Sequence, residues 1–175
     1  MEPEDSFRLR AWEPLKHAAA AQELLDHHDE FEEHPEWVLF WVAGVALLRA
    51  VGHVLDKVDG ARSPKLKGII ARKWAEWKTD QNASAIFWNF IEEERNNVLK
   101  VFELGVEGVD GMPLVIENTT TTGEQKQQIY HVDFLLHRST GEDGRDLFHE
   151  ALKWWQTQLD AIEFQWRSSA GDDPE

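Results

Sequence analysis

The segment Glu92-Glu93-Glu94-Arg95-Asn96-Asn97-Val98-Leu99-Lys100 is where residue types and spacing come nearest to a chemistry. Ile91 lies four residues before Arg95, and Val98 and Leu99 lie three and four after it, so on a helix the arginine edges an apolar stripe. An arginine in that position either pairs with a carboxylate across a helix interface or lines a polar cleft, because its charge is costly to bury alone. Asn96 and Asn97 place neutral donors and acceptors beside it, and Lys100 adds a second cation. A second group, Arg49, His53 and Asp56, falls at i, i+4 and i+7 on an earlier apolar segment and shares one helix face. Arg49 interrupts a helix otherwise fit for the core and needs a partner, for which Glu92, Glu93 or Glu94 are the natural candidates. Packing the two helices together would gather Arg49, His53, Arg95 and Asn96 in one polar layer. Such a layer either fixes helix register or forms an active or ligand-binding cleft.

Those residues must be positioned by helices. Leu15, Ala18, Ala19, Gln22 and Leu25 predict a first helix from Trp12 to about Phe31. After the break at Glu32-Glu33-His34-Pro35, a second helix runs from Glu36 to about Val58, apolar nearly all round at its start and therefore central. Ser63-Pro64 opens a third helix striped by Leu66, Ile69, Ile70, Trp74 and Trp77, and Thr79-Asp80-Gln81-Asn82 breaks it. A fourth helix is expected from about Ala83 to Leu104, striped by Phe87, Phe90, Ile91, Val98, Val101 and Phe102, with Gly105 as its C-cap. Leu114-Val115-Ile116 and the stretch Gln128 to Leu136 then read as two strands of a hairpin, with His131 and His137 as surface or hairpin-packing groups. A last helix from about Arg145 to about Arg167 carries Phe148, Ala151, Leu152, Trp155, Leu159, Ile162 and Trp166. The fold expected is a mainly α-helical, four- to five-helix bundle with a β-hairpin inserted at about 112–138, in a single domain of residues 1–170, followed by a disordered tail at 171–175.

Composition narrows the function classes. The chain has 175 residues and no cysteine, which removes disulfides, thiolate metal sites and cysteine nucleophiles. Its 18 basic and 33 acidic residues give a net charge of −15, a field that opposes non-specific DNA binding; RNA binding would need a local basic patch. Protonating all eight histidines would bring the charge to −7, so association should depend on pH. Nine tryptophans and nine phenylalanines predict an aromatic helical core, and their number also motivates a homodimer. Met1-Glu2-Pro3-Glu4-Asp5 has no signal-peptide pattern, and the apolar run Trp37 to Leu48, closed by Arg49, reads as too short to span a bilayer; the expected setting is cytoplasmic, with no membrane partner. Asp26-His27-His28-Asp29 with His34 holds metal-ligand types, but neighbouring helical residues diverge by about 100°, so a solvated helix end is expected and no metal or other cofactor is assigned. Phosphate-loop, nucleophile-elbow and Glu-x-x-His signatures are absent from the sequence.

The pattern Arg95-Asn96-x-x-x-Lys100, on a late helix preceded by a long apolar one, resembles the signature of the HEPN superfamily. These are helical proteins common in prokaryotic toxin–antitoxin and phage-defence systems. The family signature is an arginine, often followed by a polar residue, and then a histidine after four to six residues. The resemblance spans about residues 12–104 plus the last helix. It implies a metal-independent endoribonuclease site at a dimer interface, with Arg95 stabilising phosphate charge, Asn96 orienting it, and Lys100 in the acid/base position. Arg49 and Asn97 would then contact substrate, and His53 would stand in for the motif histidine. Lys100 replaces that histidine, and no histidine occurs from Arg95 to Tyr130. A lysine trades protons near neutrality only if its pKa is depressed, and the acidic run beside it works the other way, so the implied site is degenerate. The alternative expectation is a non-enzymatic interaction module whose acidic, aromatic and hairpin surfaces bind a partner protein.

Overall fold

The structure, a computed structural model, describes residues 7–119 and 125–170. The readings made for Met1-Glu2-Pro3-Glu4-Asp5, for the hairpin turn at 120–124 and for the tail at 171–175 lie outside the described residues. The chain is mainly helical, with an antiparallel hairpin before the last helix, as the periodicities predict.

Helix α1 spans Trp12–Asp26 and buries Leu15, Ala18, Ala21, Gln22 and Leu25. Ala11 has no side chain to cap it; instead the buried Asp59 carboxylate accepts from the Arg10 and Ala11 amides at 2.8 and 3.0 Å. The helix stops five residues before Phe31, short of the expectation. Phe31 is buried all the same, in a loop that the hairpin holds: Asp110 accepts from the Phe31 and Glu32 amides at 2.7 and 2.9 Å, and Asp133 from Glu30 at 3.2 Å. Helix α2, Trp37–Val54, continues as a π-helical turn, Leu55–Asp59. The whole run Trp37–Asp59 is long and apolar enough, by length and composition, to cross a membrane, which the shorter run ending at Leu48 did not predict. In this fold it is the central helix, with Trp41, Val45, Leu48 and Val51 buried.

Helix α3, Pro64–Thr79, begins as predicted: Ser63 Oγ accepts from the Leu66 amide at 3.1 Å, and Pro64 fills the first turn. The fourth helix is less regular. It comprises a π-helical segment Phe87–Glu92, a single α-helical turn α4 at Glu93–Asn96, and a second π-helical segment Asn97–Val101. It ends at Phe102, whose backbone is left-handed (φ 54°, ψ 43°), and not at Gly105. Val101 and Phe102, expected in the core stripe, are exposed, and so is Leu99. Helix α5, Gly144–Ala170, buries Phe148, Ala151, Leu152, Trp155, Leu159 and Ile162. Trp74, Trp77, Phe87, Trp88, Trp154 and Trp155 meet mostly edge to face, with ring centroids 4.8–6.3 Å apart, and join α3, the fourth helix and α5.

Strands β1, Val106–Thr119, and β2, Gln125–His137, form the hairpin, which begins earlier than the expected 112. Val106 pairs with His137 at its root, and a bulge at Asp110-Gly111 shifts the register before Met112 pairs with Val132. Gly111 takes φ 65° there, a conformation that suits glycine. Below the bulge, Val106 and Leu135 enter the core; from Gly111 to Glu117, and from Gln127 to His131, every residue is exposed.

Candidate functional site

Arg49 and the fourth helix do meet. Arg49 Nε lies 2.7 Å from Glu92 Oε2, one of the three carboxylates expected, and both side chains are largely buried. Neither atom has a hydrogen-bond partner, so the contact is a Coulombic pair whose N–H is not aimed at the oxygen. The Arg49 guanidinium also sits 6.0 Å above the Phe87 ring.

One turn beyond Glu92, Arg95 is half-buried and donates from Nη1 to Asn96 Oδ1 at 2.8 Å. Among the described residues no carboxylate pairs with Arg95. No hydrogen bond or ion pair among the described residues links His53, Asn97 or Lys100 to it either. His53 and Lys100 are exposed, and Asn97 is half-buried. The polar layer is therefore two separate pairs, Arg49 with Glu92 and Arg95 with Asn96. Arg95 lies between the two π-helical segments, and Arg49 pairs with Glu92 at the end of the first, a departure from the α ladder that recurs at functional sites.

A third group, which the sequence did not single out, is the most buried. Glu94 is 2% exposed and His137 5%. His137 Nε2 lies 3.7 Å from Glu94 Oε1, while Trp41 Nε1 and the Gly105 amide donate to Glu94 Oε2 at 3.3 and 3.2 Å. His137 Nδ1 is 3.0 Å from Thr140 Oγ1, and its ring meets Phe90 edge to face. Burial pushes the Glu94 carboxyl above the usual glutamate range; the Gly105 amide, His137 and Trp41 pull it partway back. A Cβ at Gly105 would meet the Glu94 carboxylate, so any other residue there requires that side chain to move. The Arg138 amide donates to the Gly105 carbonyl at 2.8 Å and the His137 amide to Glu142 at 2.8 Å, so both roots of the hairpin are clasped at this carboxylate. The cavity of about 190 Å³ that reaches His137 is smaller than ordinary ligand pockets, which start at about 300 Å³. Glu94 was legible only as one of three acids in a row, and His137 only as an alternating strand position.

The histidine-rich run lies at the end of α1 and in the loop that follows it. His27 Nδ1 is 2.7 Å from the Glu23 carbonyl, His28 Nε2 is 2.6 Å from the His34 carbonyl, and Asp26 pairs with His149 at 2.9 Å. His34 does converge with Glu30 and Glu33, all three exposed in the α1–α2 loop. No family model, no curated protein and no solved structure matches this chain.

Proposed function

We propose that this protein is an interaction module, and that the outer part of the hairpin is its docking element. One observation carries the reading. Beyond the bulge, Met112, Leu114, Val115, Ile116, Ile129 and Tyr130 are all exposed, although they alternate along the strands and therefore occupy both faces. A two-stranded ribbon with apolar side chains on both faces and no third strand among the described residues gains little by folding in water alone. Its outer edges are free for strand addition, and its faces for side-chain packing. The net charge of −15 selects a partner whose rim around that seat is basic. The test is a photoreactive residue placed at Val115, with a control at the exposed Lys153 on α5, irradiated in the native cell. An adduct specific to position 115, with another protein or with a second copy of this chain, supports the reading. Equal labelling at both positions, or none at 115, sinks it.

A second reading is favoured by Arg95. A half-buried guanidinium oriented by its neighbouring amide and matched to no carboxylate suits a phosphate oxygen. We therefore also propose an RNA-binding or degenerate ribonuclease role of HEPN type in a prokaryotic defence or toxin–antitoxin setting, with a homodimer formed through the exposed Leu99, Val101 and Phe102 at the end of the motif helix. RNA cleavage in EDTA by the wild type, lost in Arg95→Ala, would support catalysis. RNA binding that Arg95→Ala leaves unchanged would remove Arg95 from the account.

A further inference from the structure

We infer that the cleft beside the start of α1 binds a small organic anion carrying two or more phosphate groups. The cleft measures about 850 Å³, within the range of about 300–1,000 Å³ typical of ligand sites. Its walls carry Arg8, Arg10, Lys16 and Arg62, with Glu13 the sole carboxylate among the lining residues and Gln156 a neutral polar group. That grouping opposes the composition of a molecule in which acids outnumber bases by 33 to 18.

Two of the cations are held in place. Arg8 stacks 4.2 Å from the Trp12 ring centroid and lies 3.8 Å from Glu163 Oε2. Arg62 stacks 4.6 Å from the Trp166 centroid, donates to the Arg8 carbonyl at 2.7 Å and pairs with Asp59 Oδ1 at 3.3 Å. The other two, Arg10 and Lys16, are exposed and have no ion pair among the described residues. The carboxylates behind the wall are already engaged. Asp59 serves the Arg10 and Ala11 amides, and Glu163 serves the Leu9 amide, Trp12 Nε1 and Arg167. Among the described lining residues there are four cations and one carboxylate. Guanidinium forks fixed against aromatic faces match phosphate geometry, and several cations around one cavity match several phosphates. The net charge of −15 opposes a long polyanion more than a compact one.

The experiment is calorimetric titration at low salt with metal-free ATP and, separately, sodium pyrophosphate. It compares the wild type, the double variant Arg10→Glu/Lys16→Glu, and a control, Lys153→Glu. Saturable binding of either anion to the wild type is expected, weakened by at least about tenfold in the double variant and unchanged in the control. Both reversed side chains are exposed and unpaired, so the double variant should melt like the wild type, and a circular-dichroism melt checks this. Binding of both anions assigns the affinity to phosphate chemistry alone; binding of ATP only adds a contribution from the nucleoside. No saturable binding, or equal affinity in the double variant, overturns the proposal. So does a short single-stranded RNA that binds while both small anions do not, because the cleft would then be a polymer site.

Discussion

At the scale of single residues, neighbours in the run Glu92 to Asn96 have divergent surroundings, and each supports a different prediction. Among the described residues Arg95 has no carboxylate partner to strand, so Arg95→Ala should cost less than about 1 kcal/mol in denaturant unfolding. A loss of about 3–5 kcal/mol would mean that a buried ionic partner exists after all. Glu94 is the reverse case. Its carboxyl titrates above the usual range, so folding favours the protonated form. Its contribution to stability is whole below the ordinary glutamate pKa and is lost as pH rises through the raised folded value. Glu94→Gln is neutral throughout and keeps an oxygen for Trp41 and Gly105. The melting temperature of the Gln variant, relative to wild type, should therefore climb as pH rises from the ordinary glutamate pKa through the raised folded value. A flat difference across that range would show that burial does not govern this group.

At the scale of elements, the end of the fourth helix is a point of strain. Phe102 adopts the left-handed conformation without being glycine, and its ring is 72% exposed, so burial does not offset the backbone cost. Phe102→Gly should raise stability by about 1 kcal/mol, read from the midpoint of chemical unfolding. If it lowers stability, the ring is making contacts that outweigh the strain. The helix also shows where reading the sequence stopped working. Counting apolar positions at 3.6 residues per turn placed α2, α3, α5 and the first half of the fourth helix correctly, and Ser63-Pro64 marked a real N-terminus. Each π-helical segment holds an extra residue per turn, so the count drifted, and Val101 and Phe102 were assigned to a core they do not reach. No residue type signals that widening. Phe31 lies beyond the end of α1, and the loop that buries it is held by Asp110, 79 positions away, which local periodicity cannot see. The Arg49–Glu92 pair was legible because a cation inside an apolar helix demands a carboxylate. The Glu94–His137 contact was not, since nothing local distinguishes Glu94 from Glu92 and Glu93.

At the scale of the whole molecule, the bundle and the outer hairpin are separable in what they bury. Residues 113–117 and 127–131 are exposed, while the root residues Val106 and Leu135 belong to the core. Replacing residues 113–131 by a two-residue turn should leave the helical far-ultraviolet signal and the unfolding midpoint within about 1 kcal/mol of wild type. A collapse of the melt would mean that the outer ribbon supports the bundle. The clasp at the root has a thermodynamic corollary. The carboxylate that grips Gly105 is the one whose proton affinity depends on being enclosed, so a partner whose docking tilts the ribbon must also change how tightly Glu94 holds its proton. By reciprocity, acidity then sets the affinity of that partner, and the heat of docking would vary with the ionisation enthalpy of the buffer.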